Sequence, residues 1–128
     1  MDTNILVRYL TQDDPVQSRR ASDVMERRLT EEDPGFVSIV AMIETVWVLD
    51  RSYRFTPLEI SAAVERLLQI DVLNIENEQE IFTAMTVLKS GRGSLPDALI
   101  AELGRRAGCR RTLTFDNKAA RLPGFELV

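Results

Sequence analysis

Four acidic residues stand at the edges of apolar segments, or alone inside one. Asp2 opens DTNILVRYL, Glu44 is the only charge in IVAMIETVWVL, Asp97 follows the GRGSLP stretch, and Asp116 directly follows RTLTF. An acid ahead of an aliphatic run reads most simply as a helix cap, because its oxygens accept from unpaired backbone N–H groups. That reading accounts for Asp2 and leaves Glu44 unexplained. A lone carboxylate on an otherwise apolar helix is costly to bury without a partner, so it faces either water or a cation. The chain contains no histidine. Imidazole is therefore excluded as general base, nucleophile partner or zinc ligand, and any chemistry runs on carboxylates, lysine, hydroxyls or a metal held by oxygen.

The elements that position these acids follow from periodicity and punctuation. After a first helix, TQDDP is a turn, and a second helix starts with Pro15 near its first position and runs to about Leu29. EEDPG breaks it. Phe36-Val37-Ser38 reads as a short strand and residues from about Ile39 to Tyr53 as a long helix. Thr56, Pro57 and Glu59 form a capping-box pattern that opens another helix. Val72 to Ile75 reads as a strand, Glu78 to about Ser90 as a helix, and Leu95 to Ala107 as a helix ended by Gly108. Arg111 to Phe115 and Phe125 to Val128 are the last strands. Short strands alternating with helices of ten or more residues indicate an α/β sandwich with a mainly parallel sheet. In such sheets ligands gather at the carboxyl ends of the strands. Asp116 falls at such an end, Asp97 in the first turn of its helix, and Glu44 about one and a half turns into the helix that follows FVS.

At 128 residues the chain suits one compact domain, and 45% hydrophobic with 28% charged residues is ordinary for a globular protein. No apolar run approaches a membrane span and no signal peptide opens the chain, so a cytoplasmic location is expected. The one cysteine, Cys109, agrees with a reducing compartment and is expected to be buried and inert. A net charge of −4 argues against a uniformly basic nucleic-acid surface. Arginine pairs at 19/20, 27/28, 105/106 and 110/111 could still form a local basic rim, or simply solvate helix faces. Asp13, Asp14, Glu31, Glu32 and Asp33 sit in turn-like clusters and read as solvated charges.

DTNILVRYL, IVAMIETVWVL, LPDALIAELGRRAGC and RTLTFDNKAARLPGFELV, taken in order, resemble a PIN-domain ribonuclease of the VapC toxin kind. The resemblance covers essentially the whole chain, 1–128, as a single PIN-like domain. It implies a three-layer α/β sandwich and a Mg²⁺- or Mn²⁺-dependent endoribonuclease in a toxin–antitoxin pair, with a VapB-like antitoxin, a homodimer and RNA as substrate. The family's acidic quartet maps onto Asp2, Glu44, Asp97 and Asp116. Asp2 and Asp97 are then direct metal ligands, and Glu44 and Asp116 bind through water or orient it. The resemblance also places Asn4 as a polar neighbour that holds Asp2, and Thr114 as the hydroxyl beside the last acid. Many relatives carry an additional acid and an aromatic in a form like Asp-Phe-x-Asp before the third acid. Here the stretch is Ser94-Leu95-Pro96-Asp97, with Ser94 reading as a helix cap, which leaves one acid fewer for a second metal. Two other readings are weaker. A haloacid-dehalogenase-like phosphohydrolase wants a second acid where Asn4 stands, and a catalytically silent RNA- or partner-binding module has no need of four intact acids.

In that family the first acid ends the first strand, whereas only Met1 precedes Asp2 here, so the first strand is expected to be largely absent. A missing strand leaves ladder groups unpaired at roughly 1 to 3 kcal/mol each, against a total stability of about 5 to 15. The expectation is a natural start several apolar residues upstream. A chain extended by a short Val/Ile-rich strand should melt higher and cleave RNA faster than the 128-residue chain. Equal melting and equal rates would leave Asp2 positioned from its helix side alone.

Overall fold

A computed structural model describes residues 1–128. The chain forms two compact units, Met1–Glu76 and Asn77–Val128.

In the first unit, Asp2 is the N-cap of α1 (Thr3–Thr11) and accepts from the Thr3 N–H. No strand precedes this helix, and the Met1 ammonium donates to the Phe36 carbonyl at 2.7 Å. α2 (Pro15–Asp23) starts on Asp14, whose Oδ1 accepts from the Val16 and Gln17 N–H groups. The second helix was expected to continue to Leu29. Instead it widens into a π-helical turn at Val24–Arg28, closed by the Leu29 N–H on the Val24 carbonyl. Leu29 then abuts Gly35, where even a Cβ would lie 2.9 Å from the leucine Cδ1. β1 (Gly35–Val37) pairs in parallel with β2 (Leu73–Ile75), Val37 opposite Ile75. Ser38 is not the last strand residue but the N-cap of α3 (Ile39–Arg51), since its hydroxyl accepts from the Ala41 N–H. α4 (Pro57–Leu68) opens with the expected capping box, both Thr56–Glu59 bonds being present. Leu6, Val37, Met42, Leu49, Val64 and Leu67 are fully buried, and with them the apolar stripes of α1, α3 and α4, together with Ala21 of α2 and Met25 of its π turn, enter a core. The turn after α1 is pinned by charge. Asp13 takes hydrogen bonds from Tyr53, Thr11 and Arg8, the tyrosine hydroxyl at 2.6 Å, and these hold its carboxyl at a pKa of about 2.

The second unit is a helical pair followed by a small ladder. α5 (Glu78–Lys89) packs on α6 (Leu95–Arg106) through buried Ile81, Ala84, Met85, Leu88, Leu95 and Leu99. Gly93 in the connecting loop admits Leu122, whose Cδ1 would stand 2.8 Å from any Cβ there. β3 (Thr112–Thr114) pairs in parallel with β4 (Phe125–Leu127), Leu113 opposite Glu126. Both ladders are thus parallel, as alternation of strand and helix requires, and each has two strands of three residues. The fold is α/β with six α-helices. No helix is long and apolar enough to cross a membrane. Cys109, expected to be buried, is exposed, because Gly108 in the left-handed region (φ 91°) turns the chain outward after α6.

One ion pair ties the second unit together. Buried Glu80 on α5 accepts from Arg106 at the end of α6, and its other oxygen has no partner. The guanidinium holds the Glu80 carboxyl below its ordinary 4.5. A depressed carboxyl pKa contributes stability that is complete above the ordinary value and lost as the pH falls through the lowered one. Arg106→Ala should therefore lower Tm at pH 7, where it strands a buried charge. The gap to the parent protein should shrink as melts are repeated at pH values falling below 4.5. A pH-independent gap would show that the arginine acts by packing alone.

Candidate active site

The first unit brings two of the four acids together. Asp2 has extended backbone (φ −80°, ψ 150°), as an N-cap must, so its carboxylate turns back over the first N–H groups of α1. Glu44 lies on α3 with Thr45 and Val46 buried behind it, which leaves its own side chain exposed. Thr3 joins them. Its N–H donates to Asp2 Oδ1 at 2.9 Å and its hydroxyl donates to Glu44 Oε2 at 2.8 Å, across 41 residues of sequence. Thr3 is itself buried, 8% exposed, so this bridge is screened from water on the helix side. Glu44 thus faces solvent with a neutral donor and no arginine, and one of its oxygens stays free.

Asn4 takes no part in this bridge. Its side chain is exposed and makes no hydrogen bond to Asp2; it lines a depression with Ile5, Arg8, Gln17, Arg20, Ala21 and Val24 instead. The residue that holds the acid is its neighbour Thr3, which sequence reading passed over because a buried threonine early in a helix has no distinctive pattern. The 3.6-residue period indicates its burial but not its partner: Leu6 and Val7 lie three and four positions on, on the same buried face.

The second unit holds the other two. Ser94 caps α6 and its hydroxyl accepts from the Asp97 N–H at 3.2 Å. Asp97 is thus the third helical residue, the place from which Glu59 in α4 reaches back to its own cap. One methylene shorter, the Asp97 carboxylate makes no such bond and stays half-buried and unpaired, stabilised by the partial positive charge of the helix start. Asp116 directly follows Phe115 beyond β3. Its N–H donates to Thr114 Oγ1 at 2.9 Å, its Oδ1 accepts from the Lys118 N–H at 2.8 Å, and its carbonyl accepts from the Ala120 N–H at 3.0 Å. These three bonds fix the carboxylate in a tight Asx-type turn with Oδ2 unused. Gly104 on α6 stands against Thr112 at the start of β3, so Asp97 lies two helical turns before this junction and Asp116 lies beyond the other end of β3, past the bend at Phe115.

None of the four acids has an ion-pair partner, whereas Asp13, Asp23, Glu80, Glu102 and Glu126 each have an arginine. Hard carboxylate oxygens without competing cations are the donor set that Mg²⁺ or Mn²⁺ takes. Two of them lie in each unit, and no group of three acidic side chains is close enough to enclose an ion. Of the arginine pairs, Arg27, Arg105, Arg106 and Arg111 are engaged with acids, and Arg19, Arg20, Arg27 and Arg28 line a shallow depression along α2 and its π turn.

The PIN domain family model matches residues 1–124. The chain is also similar to a VapC ribonuclease of Aquifex aeolicus (strain VF5), 23% identical over 129 residues, an alignment that takes in 100% of this chain and 93% of that protein.

The Thr3 bridge makes a separable prediction. Thr3→Val keeps the side chain's shape and removes the hydroxyl that orients Glu44. Losing such a supporting bond is expected to lower kcat for RNA cleavage about tenfold. KM should hardly move, and Thr3→Ser should restore the rate. A Thr3→Val enzyme with unchanged kcat would remove Thr3 from the machinery.

Proposed function

The chain belongs to the PIN domain family, and from that premise we propose that it is a metal-dependent endoribonuclease, the toxin of a VapBC-type pair, acting in the cytoplasm with residues 1–128 as one functional domain. The observation that carries the reading is the Asp2–Thr3–Glu44 link, which sets two cation-free carboxylates together although they lie on different helices. The similarity to a protein named VapC ribonuclease supports RNA as the substrate and a VapB-like antitoxin as the partner. Exposed Val40 and Trp47, seven residues apart on one stripe of α3, support a homodimer.

In this reading Asp2, Glu44, Asp97 and Asp116 work as one set. Asp2 and Asp97 would hold Mg²⁺ or Mn²⁺ directly, and Glu44 and Asp116 would hold it through water. When bound, the ion supplies Lewis acidity at the phosphate and lowers the pKa of a water. The chain's own residues do the rest. Glu44, with Oε2 occupied by Thr3, has Oε1 free to accept a hydrogen bond from a water and orient it. Asp116, with Oδ1 occupied by Lys118, offers Oδ2 in the same way. Thr114 keeps the Asp116 backbone in place, a supporting role that needs no contact with RNA. With no histidine in the chain, proton handling falls to these carboxylates and to solvent.

Binding of a cation to carboxylates that otherwise repel one another stabilises the folded state by mass action. Millimolar Mg²⁺ or Mn²⁺ should raise Tm, and Asp97→Asn should blunt that rise while abolishing metal-dependent RNA cleavage. Attack by water leaves a 5′-phosphate and a 3′-hydroxyl, so end-group analysis should find that pair. Cyclic phosphate termini, or an equal rise in Tm for both proteins, would overturn the assignment.

A further inference from the structure

Phe115 is the most exposed large apolar side chain of the protein, at 85%. It sits between Thr114 and Asp116, and its backbone is clamped on both sides: Val128 donates to the Thr114 carbonyl at 2.9 Å, and Asp116 is held by Thr114 Oγ1 and the Lys118 N–H. The ring is therefore presented from a fixed support. A phenyl group has only two side-chain torsions, so placing it against a flat partner loses little freedom. Lys118 and Arg121, exposed and without ion-pair partners, lie within the same turn and short 3₁₀ helix. A flat apolar face next to an acid of the proposed site, with two free cations three and six residues further along the same turn and short helix, offers the groups one nucleotide takes: a face for a base to stack on and charges for its phosphates. The charge complementarity favours this occupant over an apolar protein surface, which would leave the two cations unmatched.

We propose that Phe115 is a substrate-binding residue that stacks on an unpaired base of the RNA beside the cleaved bond, with Lys118 and Arg121 facing the adjoining phosphates. This rests on the ribonuclease reading for its substrate. Stacking needs an open base face, which a duplex hides, so the contact selects single-stranded or looped RNA. It is tolerant of base identity, since every base has such a face.

The test uses the full chain with Mn²⁺ and a short single-stranded RNA carrying the fluorescent base 2-aminopurine at successive positions. Phe115→Ala and Phe115→Leu should each raise KM about tenfold with kcat nearly unchanged, and Phe115→Tyr and Phe115→Trp should stay near the parent value. Binding should quench the fluorescence at one position for the aromatic variants and not for leucine. Because the side chain is exposed, all four variants should melt with the parent protein. Leucine serving as well as tyrosine would assign the site to an apolar protein partner and overturn the stacking role, as would an alanine variant with unchanged KM. The two readings fail separately. Cleavage indifferent to Phe115 overturns the stacking and leaves the nuclease, and aromatic-dependent quenching without cleavage overturns the nuclease and leaves the stacking. Absence of both binding and cleavage overturns both.

Discussion

An ionised carboxylate that has no cation beside it must be held by neutral donors or reach water, and the roles of the acids in this chain divide on that constraint. Where a guanidinium is the partner, the acid holds elements together: Asp13 pairs with Arg8 and takes the Tyr53 hydroxyl directly, which fixes the turn after α1, and Glu80 ties α5 to Arg106 at the end of α6. Where backbone N–H groups or hydroxyls are the partners, the charge stays uncompensated. Asp14, Glu59 and Glu76 direct such bonds into helix starts and serve as caps. Asp2, Glu44 and Asp116 use one oxygen in this way and keep the other, and Asp97 keeps both. Retained charge of this kind is what a divalent cation draws on.

The architecture serves this by keeping strands short and letting their ends deliver side chains. A three-residue ladder contributes few hydrogen bonds, so cohesion within each unit comes from helix faces: Leu6, Met42, Leu49 and Leu67 in one, Ile81, Met85 and Leu99 in the other. The ladders set register instead. Pairing of Thr114 with Leu127, continued by Val128 on the Thr114 carbonyl, decides where β3 stops and hence where Phe115 and Asp116 emerge. On α3, Ser38 decides where the helix starts, and the start decides that Glu44 falls outward while Thr45 and Val46 fall inward.

Local signals were sufficient for most of these elements. The capping box at Thr56–Glu59, Pro15 behind Asp14, Ser94 before Asp97 and the glycine after α6 are read within four residues of the bond they predict, so the sequence places these boundaries directly. The four acids stand out for the same reason, as charges at the edge of an apolar segment or, for Glu44, inside one. The isolation of Glu44 in IVAMIETVWVL demanded water or a cation, and the side chain is indeed exposed.

What the tertiary structure alone decided involves partners far apart in the chain. No local pattern joins Thr3 to Glu44 across 41 residues, so the bridging hydroxyl was invisible and the neighbouring Asn4 seemed the better candidate. The π turn at Val24–Arg28 breaks a helix whose apolar spacing reads as continuous, and Leu29 meets Gly35 only once the chain has turned back on itself. Cys109 looked like a buried thiol and is exposed, because burial is a property of what packs around a residue. Short-range hydrogen bonding and periodicity are encoded where they act, which is why sequence determined the elements and their acids. Which donor reaches which carboxylate depends on packing between elements, and that only the folded chain decides.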